Sequence, residues 1–137
     1  MERRYTQVLE TLRSAGLRPT RQRMALTKLL FEGEERHVTA EILHKDAVKN
    51  GIRVSLATVY NTLHQFTDAG LLREVVVDAS RSYFDTTTHD HFHYFYPKSG
   101  KLVDIAASEM DLAALPLAPV GTRVERVDVV IRLAEDD

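Results

Sequence analysis

Cysteine is absent from the sequence, which excludes disulfide bonds and any metal site built on thiolates. Long apolar runs are also missing, because none approaches the roughly 20 residues that a membrane-spanning helix needs. The first ten residues, MERRYTQVLE, lack the apolar centre of a signal peptide. Since 44% of the residues are hydrophobic and 28% are charged, the composition is that of a globular protein. We therefore expect a cytoplasmic protein with no membrane partner.

A strong charge of one sign is missing as well, but the net charge of −2 conceals an uneven distribution. Residues 1–84 carry 13 Lys and Arg against 10 Asp and Glu, whereas residues 85–137 carry 5 against 10. A basic first part and an acidic second part suit a protein whose N-terminal region binds a polyanion. An ordinary solvated basic face would give the same counts, so charge alone does not decide between the two interpretations.

Helix boundaries are clearly marked in the first half of the chain. Gly16 is suited to end a first amphipathic helix, because glycine readily adopts the left-handed conformation of a C-terminal cap. Thr20, Thr39 and Ser55 are suitable N-caps for three further helices. The pattern therefore predicts a succession of short helices before residue 70.

A change of pattern follows these helices. The β-prone runs at residues 74–78 and 82–85 predict a hairpin, and helices followed by a hairpin are typical of a winged helix. We therefore assign residues 1–85 to a winged-helix DNA-binding domain. The polar residues that come next pack poorly, so residues 86–90 are predicted to be a hinge.

The last part, residues 91–137, predicts a small α/β domain. We expect strands at 91–96, 101–105 and 123–133, and a short helix from Ser108 through Leu115. The long last strand places one row of apolar residues on one face: Val127, Val129, Ile131 and Leu133. A domain of this size has too small a core to stand alone, so we expect the row to complete a homodimer. The fold class is therefore α+β, with a winged helix and a small dimerisation domain.

The helix after Ser55 has the character of a DNA-reading helix. Its apolar residues have helical spacing and are predicted to pack inward: Leu56, Val59, Leu63 and Phe66. Its other face is short, weakly charged and rich in hydrogen-bonding groups, as a helix in the major groove requires. An ordinary surface helix remains the alternative. Arginines near the second helix and in the hairpin would contact phosphates. With these arginines included, the predicted DNA-binding residues are Arg18, Arg21, Arg23, Ser55, Thr58, Tyr60, Asn61 and Arg81.

The strongest chemical pattern is the run Thr88-His89-Asp90-His91-Phe92-His93. On a strand, His91 and His93 project from the same face, and two imidazoles beside carboxylates suit a divalent first-row metal. Asp104, on the next strand, and His37, from the other domain, are candidates to join this site. A site built from both domains would make their relative arrangement depend on metal. A solvated or merely hydrogen-bonded histidine cluster is the alternative.

Four further motifs resemble the ferric uptake regulator (Fur) family. They are the runs GLRPTRQR at 16–23, HVTAE at 37–41, LATVY at 56–60 and DAGL at 68–71. The resemblance implies a homodimer that binds double-stranded DNA at an AT-rich inverted repeat, with Tyr60 reading the major groove. It also implies a regulatory metal site formed by His37, Asp85, His91, His93 and Asp104. This site would hold Fe²⁺ or Mn²⁺ in the cell and Zn²⁺ in purified protein.

The sequence departs from the family at two other metal sites. The cysteines of the structural zinc site are absent, so no zinc site with four cysteine ligands is expected. The third site also lacks its usual ligands, since Phe92 stands at a carboxylate position and Val127 and Asp128 replace the usual histidine region. The regulatory site is therefore the one that we expect to be retained.

Within the family, the runs 61–63 and 83–86 resemble the iron response regulator branch. That branch controls iron and haem genes, and the resemblance implies a repressor with haem as a further ligand at His89, His91 and His93. Asp85 and Asp104, where other members have glutamates, resemble instead the peroxide-sensing branch, in which a ligand histidine is oxidised. Both branches remain open at this stage.

Two other classes of function are disfavoured. A metalloenzyme would need a general base separate from the ligands, and the sequence has no convincing one and no nucleophile or phosphate-loop motif. A plain haem or metal carrier would not need the helix at 55–66 or the N-terminal arginines. We therefore expect a regulator rather than an enzyme.

Overall fold

The computed structural model describes the backbone of residues 2–136 and the side chains of residues 5–136. The chain divides into two compact units, one that ends at Thr88 and one that begins at His89. The roles predicted for residues 1–85, 86–90 and 91–137 are not decided by this division. Among the helices of residues 2–136, none has the length and apolar character that crossing a bilayer requires.

The first unit consists of helices followed by a small sheet. Its elements in order are α1 (Glu2–Ser14), α2 (Arg21–Phe31), β1 (His37–Val38), α3 (Ala40–Lys49), α4 (Leu56–Asp68), β2 (Arg73–Asp78) and β3 (Arg81–Asp85). The predicted N-caps are confirmed, because Thr20, Thr39 and Ser55 each accept a hydrogen bond from the backbone N–H three residues ahead. Gly16, with a φ of 75°, follows α1 as predicted.

The core of the first unit is formed by apolar residues from α1 to α4 and from β3, including Leu26, Leu43, Leu63 and Phe84. The buried face of α4 consists of Val59, Thr62, Leu63 and Phe66. Leu56 was predicted to join this face, and that prediction is wrong, since Leu56 is 42% exposed. Leu56 is the first residue of α4, at the exposed end of the helix, and Thr62 belongs to the buried face in addition to the predicted apolar residues.

The sheet of the first unit has the order β1-β3-β2, and its neighbouring strands are antiparallel. Strands β2 and β3 form the predicted hairpin. Strand β1 is too short to be recognised from the sequence, yet it pairs His37 with Asp85 in register. Helices followed by this three-stranded arrangement form the expected winged helix.

The second unit is built on the strands β4 (His91–Tyr96), β5 (Lys101–Ala106) and β6 (Val130–Arg132). Their order is β5-β4-β6, with β4 antiparallel to β5 and parallel to β6. Phe92 and Phe95 are buried on β4, and Leu102 and Ile105 are buried on β5. The two predicted strands at 91–96 and 101–105 are therefore confirmed.

Two predictions for the second unit need correction. The strand expected at 123–133 is limited to Val130–Arg132, because backbone hydrogen bonds to β4 begin only at Val129, which accepts from the N–H of His93. The predicted alternation nevertheless persists, since residues 127, 129, 131 and 133 are all half-buried.

The short helix expected from Ser108 through Leu115 is also replaced, by 3-10 turns at Ala107–Glu109 and Leu112–Ala114. Asp111 interrupts the segment, because its carboxylate accepts a hydrogen bond from the N–H of Ala113 at 3.0 Å and starts a new turn. Pro116, two residues after that turn, has no backbone N–H with which to extend it.

Candidate metal centre and DNA-binding helix

Within the first unit, His37 and Asp85 form a close pair. They lie opposite each other on β1 and β3, and His37 Nε2 is 3.3 Å from Asp85 Oδ2. The carboxylate of Asp85 is only 1% exposed, and the imidazole of His37 is 18% exposed. A buried carboxylate facing an imidazole nitrogen is a suitable pair of ligands for a divalent metal.

The second oxygen of Asp85 has a different partner. Its Oδ1 accepts a hydrogen bond from the backbone N–H of Thr87 at 2.9 Å, within the polar segment after β3. This bond fixes the carboxylate group and leaves Oδ2 on the side of His37. A metal ion bound here would therefore meet one oxygen of Asp85.

Within the second unit, two histidines and an aspartate form a second cluster. His91 and His93 project from one face of β4, and Asp104 lies opposite His93 on β5. Asp104 Oδ1 is 3.5 Å from His91 Nε2 and 3.3 Å from His93 Nε2. Nitrogen and oxygen atoms that bind one metal at about 2.1 Å, at right angles to each other, lie about 3 Å apart, so these separations suit shared coordination.

His91 is oriented by the backbone. Its Nδ1 lies 2.7 Å from the carbonyl oxygen of His89, and since a carbonyl can only accept, Nδ1 carries the proton. In the neutral ring, Nε2 then carries the lone pair and faces the carboxylate of Asp104. An imidazole lone pair and a carboxylate oxygen on the same side are donor atoms that suit a divalent first-row metal ion. The donor set therefore fits an imidazole and carboxylate metal site.

The other histidines have different surroundings. His89 is exposed, although its ring lies 5.5 Å from that of His91. His44 Nε2 contacts the carbonyl oxygen of Val54 at 3.1 Å. The ring of His64 packs edge-on against Tyr60 and Phe84. His44 and His64 thus serve the packing of the first unit.

The outer face of α4 presents Ala57, Tyr60 and Asn61 to solvent, and Tyr60 is 50% exposed. The hydroxyl of Ser55 is occupied with the helix cap, because it accepts from Thr58 N and donates to Thr58 Oγ1. Tyr60 and Asn61 are therefore better placed than Ser55 to contact a base edge. Their role in binding DNA stays a prediction.

The sequence pattern of the ferric uptake regulator family matches residues 14–130. The chain belongs to the ferric uptake regulator family. Members of this family are metal-responsive transcription regulators that bind DNA as dimers, and the Fur resemblance of the four sequence motifs is thereby confirmed. This match does not distinguish the iron response regulator branch from the other branches of the family.

Several known proteins are similar to this Fur-family chain. The peroxide-responsive repressor PerR of Staphylococcus epidermidis is 36% identical over 103 residues, which cover 75% of this chain and 68% of that protein. PerR of Staphylococcus aureus is 32% identical over 111 residues, with coverages of 81% and 74%.

Solved structures of ferric uptake regulators are similar to this chain in fold. The ferric uptake regulator of Pseudomonas aeruginosa with manganese has a TM-score of 0.73 and 27% identity, and covers 94% of this chain and 98% of its own. The ferric uptake regulator of Vibrio cholerae has a TM-score of 0.72 and 26% identity, with coverages of 90% and 95%. The predicted α+β fold, with a winged helix and a small dimerisation domain, is therefore confirmed.

The arginines predicted to bind DNA in this Fur-family chain have unequal surroundings. Arg21, the first residue of α2, and Arg18, three residues before it, are exposed. Arg23 donates to the carbonyl oxygen of Arg18 and to Gln65 Oε1, both at 2.9 Å, so it connects the start of α2 to α4. Arg23 therefore has a structural role that the sequence did not indicate.

Arg81 is also engaged within its own hairpin. Its guanidinium donates twice to Asp78 Oδ2, at 3.1 and 2.9 Å. The pKa of Asp78 is lowered to about 2 by hydrogen bonds from the backbone and side chain of Ser80, and then by Arg81. Asp78 is ionised at physiological pH, and an incoming phosphate would compete with it for Arg81.

Proposed function

We propose that this protein is a homodimeric, metal-responsive repressor of iron or haem homeostasis genes. Residues 1–85 would bind an AT-rich inverted repeat of double-stranded DNA, residues 86–90 would act as a hinge, and residues 91–137 would form the dimer. The observation that carries the proposal is the cluster in which two buried imidazoles face Asp104 at 3.5 and 3.3 Å. Such a cluster suits Fe²⁺ or Mn²⁺ in the cell and Zn²⁺ in purified protein.

We propose one regulatory metal ion bound by His37, Asp85, His91, His93 and Asp104. Two of these residues precede the proposed hinge and three follow it. A metal ion that binds both groups would favour those hinge conformations that bring the groups together, and this preference would alter DNA affinity. The protein itself supplies the ligands, orients His91 through the carbonyl of His89, and holds Asp85 through Thr87.

Fluorescence anisotropy with an AT-rich inverted-repeat duplex tests the proposal. We expect the affinity of the metal-free protein for this duplex to change on addition of Mn(II), whereas a scrambled duplex of equal composition shows no such change. Because phosphate contacts make binding sensitive to salt, both titrations are run at one ionic strength. Specific DNA binding that is indifferent to Mn(II) would contradict a regulatory role for the metal. Haem is added in a further titration, since His89, His91 and His93 are its candidate ligands.

A peroxide-sensing repressor is the second candidate function. It is supported by Asp85 and Asp104, which are both aspartates as in the peroxide-sensing branch, and by the relatives that are 32–36% identical and named peroxide-responsive repressor PerR. In this function, one oxygen of hydrogen peroxide is added to a ligand imidazole and the other leaves as water. The DNA-binding activity is then lost with the ligand.

Mass spectrometry separates the two candidates. If the protein senses peroxide, we expect the Fe(II)-loaded form to gain one oxygen atom on His37, His91 or His93 after brief treatment with hydrogen peroxide. The Mn(II)-loaded protein is the matched control and should remain unmodified. An Fe(II) form that keeps its histidines intact while its DNA affinity responds to haem would instead support the iron and haem function.

A further inference from the structure

The hydroxyl group of Thr87 is buried and lacks a hydrogen-bond partner among the described residues. Thr87 is only 5% exposed, and among the described residues its Oγ1 is a buried side-chain oxygen without a hydrogen-bond partner. A buried hydroxyl without a hydrogen-bond partner is unfavourable, because it has lost its hydration without replacement. The buried hydroxyl therefore suggests that a small polar ligand binds next to Thr87.

The neighbours of Thr87 are different. Thr86 Oγ1 accepts a hydrogen bond from the N–H of Arg36 at 3.0 Å, which ties this segment to the residue before β1. Thr88 is exposed, so water can satisfy its hydroxyl. The three threonine hydroxyls thus differ: that of Thr86 is bonded to protein, that of Thr87 is buried without a bond to the described residues, and that of Thr88 is exposed.

The backbone of Thr87 connects this residue to one of the proposed metal ligands. Its N–H donates to Asp85 Oδ1 at 2.9 Å, while Asp85 Oδ2 lies on the side of His37. Thr87 is thus bonded directly to the carboxylate that would bind the metal. Five protein ligands would leave one position of an octahedral ion open, and water would occupy that position.

We propose that the Thr87 hydroxyl hydrogen-bonds the water molecule, or another small oxygen ligand, that completes the coordination of the regulatory metal. A hydroxyl is suited to this role because it donates one hydrogen bond and accepts two. The inference rests on the proposed function and adds to it a residue that selects what binds at the open position. Thr87 would then be the contact point of a small oxygen-containing effector such as peroxide.

Substitution by valine tests the proposal, since valine keeps the shape of threonine and removes the hydroxyl. We expect Thr87→Val to bind Mn(II) about tenfold more weakly than the unaltered protein, the size of effect typical of residues that support metal ligands. Without metal, its melting temperature should not fall, because the Thr87 hydroxyl makes no hydrogen bond to the described residues. With Co(II), its visible absorption should intensify, because loss of the sixth ligand lowers the coordination number.

Three further variants complete the comparison. Thr88→Val is the matched control and should leave Mn(II) affinity and the Co(II) spectrum unchanged. Thr87→Ser retains the hydroxyl and should retain affinity, and Thr87→Ala replaces Thr87→Val if the valine variant does not fold. Equal Mn(II) affinity and equal Co(II) spectra in Thr87→Val and the unaltered protein would overturn the proposal. Absence of Mn(II) binding by the unaltered protein would overturn the proposed metal site itself, which is a separate and recognisable result.

Discussion

Replacing His91 with alanine should lower Mn(II) affinity by at least about 100-fold, because even residues that only support metal ligands typically contribute 10- to 100-fold. His91 is buried, its Nδ1 is fixed by the carbonyl of His89, and its Nε2 faces Asp104 at 3.5 Å. Removing it leaves the facing carboxylate without one of its two imidazoles. We therefore expect His91→Ala to bind the operator duplex identically with and without Mn(II). Isothermal titration calorimetry and fluorescence anisotropy measure the two effects.

His89→Ala is the matched control for this prediction. It removes an exposed imidazole next to the cluster but keeps the backbone carbonyl that orients His91. We expect its Mn(II) affinity to equal that of the unaltered protein. Far-ultraviolet circular dichroism checks that both variants are folded. Unchanged Mn(II) affinity in a folded His91→Ala variant would remove His91 from the metal site and leave the cluster as an ordinary group of hydrogen-bonded histidines.

The helices of the first unit could be predicted well because their signals are local. A cap such as Thr39 acts on an N–H three residues away, and a glycine such as Gly16 stops a helix by its own backbone conformation. Neither signal depends on what packs against the helix. The burial of α4 was less predictable, because Leu56 has the right spacing but lies at the end of the helix, where its side chain is 42% exposed.

Pairings between distant segments could not be predicted from the sequence. Strand β1 has two residues, and its existence depends on hydrogen bonds to β3, far along the chain. The opposite error occurred at 123–133, where alternating apolar residues predicted a long strand but β4 accommodates only its end. Alternation reports which face of an extended segment is buried, whereas a strand also needs a partner for its backbone.

The candidate site was predictable only in part, for the same reason. His91 and His93 could be recognised because a strand places alternate side chains on one face. The sequence did not predict the buried, unbonded hydroxyl of Thr87. It also did not predict the hydrogen bonds from Arg23 to Gln65 and from Arg81 to Asp78, since each of these features depends on the position of another group. Only the contact between Asp85 and Thr87 had a signal in the sequence. It is the spacing Asp85-x-Thr87, because an aspartate side chain often accepts a hydrogen bond from the N–H two residues ahead.

The exposed ring of Tyr60 gives a prediction for DNA binding that is independent of the metal. Replacing Tyr60 with alanine should weaken binding to the inverted-repeat duplex about tenfold, within the range expected for loss of one direct DNA contact. Mn(II) content should not change, because Tyr60 lies on α4 and is not among the proposed ligands.

Tyr5→Ala is the matched control for Tyr60→Ala, since Tyr5 is another exposed tyrosine, with 58% exposure against 50% for Tyr60. Its effect on duplex affinity should be much smaller if α4 reads the DNA. The ring of Tyr60 also packs on His64 at 4.6 Å, so the melting temperature of Tyr60→Ala is measured to exclude a general loss of structure. A folded Tyr60→Ala variant with full affinity for the duplex would place the DNA-reading surface elsewhere than on this face of α4. The prediction that Asn61 reads a base would then lose its main argument, which is that Asn61 is exposed beside Tyr60 on the same face of α4.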